Sequence, residues 1–156
     1  MIKIKKATYD DAKIVFEQVM LLLRELCDNP DKYEEPDYDR VCRAWKKNDD
    51  CFNAFLAYDD TDQPVGVITL VECFAIYAAG SCGIINELYV APEYRSRGVG
   101  KMLLDEVKKI GPEKGWQRIA VTAPAGEKWR RTVAFYEREG FQPAGPSLRI
   151  FIEDSE

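Results

Sequence analysis

The chain has 156 residues, 46% of them apolar and 31% charged, which suits one soluble domain able to bury a core without metal or disulfide staples. A net charge of −5 argues against a general nucleic-acid binder, and the absence of His excludes a Ser-His-Asp triad, a Cys-His pair and a His-ligated metal within this sequence. Five cysteines without a CxxC pair suggest neither a disulfide framework nor a zinc site. They read as reduced thiols, and with no signal-like start and no run near the ~20 apolar residues of a membrane span, a cytoplasmic protein without membrane association is expected.

In chain order, Ile2 and Ile4 alternate with lysines as in a half-buried strand. Thr8 stands three residues before Asp11, an acidic capping box, and Val15, Phe16, Val19, Leu22, Leu23 and Leu26 follow at helical spacing. The breaker-rich DNPDKYEEPDYD is a loop, and a second helix from near Asp37 should bury Val41, Cys42 and Trp45. FNAFLAY, VGVITLVECFAIY and GIINELYV read as three antiparallel strands, broken by DDTDQP and AAGSCG. The loop APEYRSRGVG leads to a helix from Lys101 that carries Leu103, Leu104, Val107 and Ile110 and is expected to stop at Gly111-Pro112. RIAVTAP is a fifth strand, parallel to the fourth across a right-handed crossover. A last helix runs from about Trp129 to Glu139 and ends at Gly140, and the alternating LRIFI is expected to close the sheet. The expected fold class is a single α/β domain over residues 1–156, on a mixed, mostly antiparallel sheet flanked by helices.

The segment YRSRGVGK concentrates flexibility and positive charge directly before a helix. Gly98 and Gly100 let backbone amides approach a ligand, and the helix start adds N–H groups and the positive end of its dipole. Such a nest suits phosphate or pyrophosphate, although a turn with solvated basic residues reads equally well from the loop alone. Neither a Walker loop nor a Rossmann fingerprint fits, because Met102 stands where the first needs a hydroxyl and Leu103 where the second needs glycine.

Here the chain resembles the GNAT superfamily of acyl-CoA-dependent N-acyltransferases. LYVAPEYRSRGVG carries that family's [RQ]-x-x-G-x-[GA] signature after a strand, with Arg95, Gly98 and Gly100 in the key places, and FYEREGF matches its FYxxxGF element. The resemblance implies a sheet whose fourth and fifth strands splay apart, with acetyl-CoA as cosubstrate and no metal. It implies that Arg95, Ser96, Arg97, Gly98, Val99, Gly100 and Lys101 hold the pyrophosphate and that Leu88, Tyr89 and Val90 pair with the pantetheine arm. It also implies a fourth-strand bulge that aims a backbone N–H at the thioester carbonyl. Trp129 departs from the pattern, standing where the family often has Asn, and it packs either on the cofactor or on the core.

An amine attacks a thioester only when neutral, so a base must take its proton and the leaving thiolate must receive one. Tyr136 matches the family's general acid; otherwise it packs its helix onto the sheet. Glu72 in ITLVECF and Glu87 in IINELYV are carboxylates inside apolar strands, each a candidate base and each explicable as a solvent-facing or ion-paired residue. Glu87 adjoins the expected thioester site, and Asn86 could serve a water chain. Cys73 and Cys82 lack a His to activate them and read as buried thiols. The expected activity is acetyl transfer to a primary amine of a small molecule, peptide or protein by direct attack in a ternary complex. Its rivals are a non-catalytic acyl-CoA-binding regulator and a toxin that acetylates aminoacyl-tRNA, the latter disfavoured by the net charge. The acidic run 28–39 hints at a cationic acceptor; a homodimer stays open.

Overall fold

The computed structural model describes residues 1–152. Its elements are β1 (Lys3–Lys6), α1 (Ala12–Leu26), α2 (Tyr38–Asn48), β2 (Phe52–Tyr58), β3 (Pro64–Ala75), β4 (Gly80–Val90), α3 (Val99–Glu113), β5 (Ile119–Val121) and α4 (Arg130–Arg138). They fall into two compact units, Met1–Val121 and Thr122–Glu156.

The first unit is a five-stranded sheet in the order β1-β2-β3-β4-β5. The first three pairings are antiparallel and β4 runs parallel to β5. Alternation along each strand sends successive side chains to opposite faces. Val67 and Tyr89, directly opposed on β3 and β4, join Val15, Val19, Trp45 and Leu56 in the core on the α1 and α2 side. The other face meets α3: a Cβ on Gly66 would lie 3.3 Å from the Leu103 side chain. Leu56, Val67, Ile68, Leu70, Leu103, Leu104 and Val107 are all fully buried. At ~1.5–3 kcal/mol for each large apolar side chain buried, this two-sided core is the main stabilising term.

Local signals act as the spacing predicts. The Thr8 amide donates to Asp11 Oδ2 at 2.9 Å, as a capping box requires, and the Asp37 carboxylate accepts from the Arg40 amide at 2.7 Å to cap α2.

Three expectations are corrected. The third helix does not stop at Gly111-Pro112 but runs to Glu113, because the Lys114 amide closes the last turn on the Ile110 and Gly111 carbonyls at 3.0 and 3.2 Å. The fifth strand is only three residues long. LRIFI forms no strand: its backbone is irregular, and Leu148, Ile150, Phe151 and Ile152 are 81–91% exposed. Alternating apolar residues record a side-chain period but not a pairing partner, and Pro143, Gly145 and Pro146 break the backbone just before the run.

Candidate active site

The register of β3 and β4 contains one irregularity. Thr69 stands opposite Glu87, yet the next residue, Leu70, stands opposite Ile85. Asn86 is therefore an extra residue, a β-bulge. The parallel partner ends at the same place: β5 pairs with Gly83, Ile84 and Ile85 and goes no further than Val121. From Asn86 to Val90, β4 carries a backbone edge with no β5 partner.

Glu87 sits at this point of divergence. It shares a face with Val67 and Tyr89, hence with α1. The fully buried Thr69 donates its hydroxyl to Glu87 Oε2, which fixes the carboxylate's orientation. Burial pushes the Glu87 carboxyl up to about 7, so it exchanges a proton near neutrality. Glu72 lies on the opposite face, paired with Gly83. Its Oε2 accepts the Trp116 indole N–H at 2.6 Å. That ring covers Gly83 so closely that a Cβ there would fall 2.4 Å from it. The two strand carboxylates are thus not brought together, and Glu72 serves a buried indole.

Beyond β4 the chain turns through Ser96 (φ 62) and Gly98 (φ 83) into α3. The first helical bond runs from the Met102 amide to the Gly98 carbonyl at 3.0 Å, so the amides of Val99 and Gly100 leave the helix start without a helical acceptor. The basic side chains fold back. Arg95 Nε donates to the Val90 carbonyl at 2.8 Å, Nη2 pairs with Glu25 Oε2 at 2.6 Å, and the guanidinium lies 5.8 Å from the Tyr89 ring centre. Arg97 rides over Tyr94, whose hydroxyl donates to Asp59 Oδ2 at 2.9 Å. Lys101 pairs with Asp105 at 3.1 Å. The loop is therefore held from α1 by Glu25 and from the β2–β3 turn by Asp59.

In the second unit Tyr136 is buried on α4, edge to face with Phe135 and Phe141 at 5.3 and 5.4 Å. Burial pushes its phenol up to about 12, which keeps it protonated at neutral pH. The Phe141 amide closes on the Tyr136 carbonyl at 3.0 Å, tying the two aromatic ends of FYEREGF together. Trp129 is half-buried at the start of α4, with the Lys128 ammonium 4.9 Å from its ring centre.

Residues 19–141 match the acetyltransferase (GNAT) family. The chain belongs to the GNAT family. It is 24% identical over 114 residues to a glucosamine 6-phosphate N-acetyltransferase of Dictyostelium discoideum, a match covering 69% of this chain and 66% of that one. The chain spans only part of such curated relatives, down to 52% of a peptidyl-lysine N-acetyltransferase of Escherichia coli. Among solved structures, an aminoglycoside acetyltransferase from an uncultured soil metagenomic sample superposes with a TM-score of 0.80 at 19% identity, covering 98% of this chain and 99% of that one. Its mixed sheet and parallel β4–β5 pair are those expected from the order of its predicted elements.

Four residues around the GNAT loop and bulge escaped the sequence reading. Thr69 reads as ordinary strand propensity in VGVITLV, although a Thr in so apolar a run is a candidate partner for a strand carboxylate. Glu25 and Asp59 look like solvated charges, and their partners Arg95 and Tyr94 lie 70 and 35 residues away. Trp116 looks like a core residue, and its pairing with Glu72 crosses 44 residues.

Proposed function

We propose that this chain moves the acetyl group of acetyl-CoA to a primary amine by direct attack in a ternary complex. The observation that carries this reading is the placement of Glu87, held by the Thr69 hydroxyl beside a bulge where β4 parts from β5; burial there pushes its carboxyl up to about 7. Acetyl-CoA supplies the activated acyl group. The backbone edge of Leu88, Tyr89 and Val90 suits the amide-bearing pantetheine arm. The Val99 and Gly100 amides, at the positive end of α3, suit the pyrophosphate. Ser96, Arg97, Gly98 and Lys101 shape or border that nest, and Arg95 braces it from behind.

In this reading Glu87 takes the proton from the acceptor ammonium, whose ordinary pKa is ~10.4. A base near 7 accepts it reversibly and is regenerated at neutral pH. The N–H at the Asn86 bulge stabilises negative charge on the acyl oxygen. Tyr136 returns a proton to the departing thiolate, as the family motif implies. Glu72 is not needed. Trp129 covers part of the cofactor arm in place of an Asn. The family match, residues 19–141, includes residues of both compact units.

The acceptor is an amine-bearing compound with more than one positive charge. The run 28–39 supports this, although Glu35 is already paired with Arg24 and Asp37 is spent as a helix cap. Aminoglycosides fit, as the name of a similar protein suggests. The thiols are free, which favours a reducing compartment such as the cytoplasm. Among the described residues no helix is long and apolar enough to cross a membrane.

Coenzyme A binding tests the reading at its base. Millimolar coenzyme A should raise the melting temperature through binding linkage, and dephospho-coenzyme A should do so more weakly. No shift with either ligand would overturn it.

A further inference from the structure

We propose that Cys73 and Cys82 form a reversible intramolecular disulfide, a redox modification site on the β3–β4 hairpin that is separate from acyl transfer. The two residues are directly opposed in the antiparallel register. Their Sγ atoms stand 3.0 Å apart. Opposed Cα atoms in such a pair lie ~4.5–5.5 Å apart, inside the ~4.4–6.8 Å range of disulfides. The backbone is therefore already in place, and side-chain torsion alone brings the sulfurs together.

The other thiols point elsewhere. Cys27 and Cys51 turn to the carbonyls of Asn29 and Asn48, and Cys42 lies beside the Tyr38 hydroxyl. Access is graded as well: Cys82 is 2% exposed, whereas Cys73 is half-buried. A small oxidant therefore reaches Cys73 first. With glutathione disulfide as oxidant, the Cys73 thiolate attacks one sulfur, a mixed disulfide forms and one glutathione thiolate leaves. The Cys82 thiolate then attacks the Cys73 sulfur and expels the second glutathione. Two electrons pass from the protein dithiol to the oxidant, and the two thiol protons end on the two glutathiones or in solvent. The contact with Cys82 and burial both push the Cys73 thiol above its ordinary range, which slows the first step. The second step is intramolecular between atoms already in contact, so the mixed disulfide does not accumulate.

The bond closes a short loop that includes Phe74, Ile76 and Tyr77, all well exposed. Restricting that loop in the unfolded chain stabilises the oxidised protein.

The test uses the full chain, incubated with glutathione disulfide at mildly alkaline pH, beside Cys51→Ser, Cys73→Ser and Cys82→Ser. Intact mass should show loss of two hydrogens in the wild type and in Cys51→Ser, without retained glutathione. Chymotrypsin cuts after Phe74 and Tyr77, between the two cysteines, and the resulting fragments should stay linked until a reductant is added. The melting temperature of the oxidised protein should rise by about 5 °C or more, reversed by reduction. Cys73→Ser and Cys82→Ser should each abolish the closed form. A stable glutathione adduct, a bond to another cysteine, a bond between chains, or a closed form that melts no higher than the reduced protein would each overturn the proposal. None of these readouts involves coenzyme A, so they stand apart from the acyltransfer reading.

Discussion

Glu72 and Glu87 lie on opposite faces of one sheet: Glu72 accepts the Trp116 indole N–H on the α3 side, while Glu87 shares the α1 side with Thr69. Only one of them can meet an acceptor that approaches from a given face. Glu87→Gln should lower acetyl transfer by roughly 10²-fold near neutral pH, in the range of general-base catalysis. Glu72→Gln, which keeps an acceptor for the indole, should change the rate less than about threefold. Steady-state thiol release measures both, and the reverse ranking would move the base to Glu72.

The same carboxyl should set the pH profile. A base works only when ionised, so kcat/KM in the wild type should rise with pH through about 7. Glu87→Gln should lose that limb while keeping any limb due to the amine itself.

Glu87 should also cost stability. Its folded pKa is raised above 4.5, so the folded state holds the proton more tightly than the unfolded state does. The protonated carboxyl is fully tolerated below about pH 4.5, and stability falls as pH rises from there through about 7. Removing the charge should therefore stabilise the protein at neutral pH and above, by about 1–3 kcal/mol, and not at pH 4. Denaturant melts of Glu87→Gln at the two pH values check this. A variant that is slower yet more stable would mark Glu87 as a residue retained for chemistry.

The loop offers two tests. At Gly98, φ is 83 and an added Cβ would meet nothing within 4 Å, so Gly98→Val strains only the backbone. Coenzyme A affinity should fall tenfold or more while the circular dichroism spectrum is unchanged. Glu25→Gln should weaken coenzyme A binding about two- to fivefold, because it loosens Arg95 and partly exposed ion pairs contribute only ~0.2–1 kcal/mol. If Arg95 is instead a phosphate ligand restrained by Glu25, affinity will rise, and calorimetric titration separates the two.

Tyr136→Phe removes one hydroxyl from a buried ring and should leave its contacts with Phe135 and Phe141 intact. The rate constant should fall about 10- to 10²-fold with little change in the Michaelis constant for acetyl-CoA, the pattern of a group that acts in the transition state. A change in the Michaelis constant alone would make Tyr136 a packing residue.

Much of this was legible in the sequence because it is local. Periodicity placed α1, α2 and the β2–β4 meander, and the glycines of YRSRGVG placed the turn into α3. The bulge was expected from the motif but could not be positioned, since Asn86 has no local mark; only the register against Thr69 and Leu70 locates it. Placing Glu72 and Glu87 on opposite faces needed the same register, because one extra residue decides which face a side chain takes. The tethers of Arg95 and Tyr94 are long-range and leave no sequence period. LRIFI misled for the converse reason, since alternation alone supplies no neighbouring strand.

The most direct measurement is release of free coenzyme A thiol from acetyl-CoA across a panel of amines: aminoglycosides, amino sugars, polyamines and lysine peptides. At least one class should give amine-dependent release that saturates with both substrates and falls about 10²-fold in Glu87→Gln. A folded wild-type protein that binds coenzyme A but releases no thiol with any amine class would contradict acetyl transfer and leave a non-catalytic acyl-CoA-binding protein.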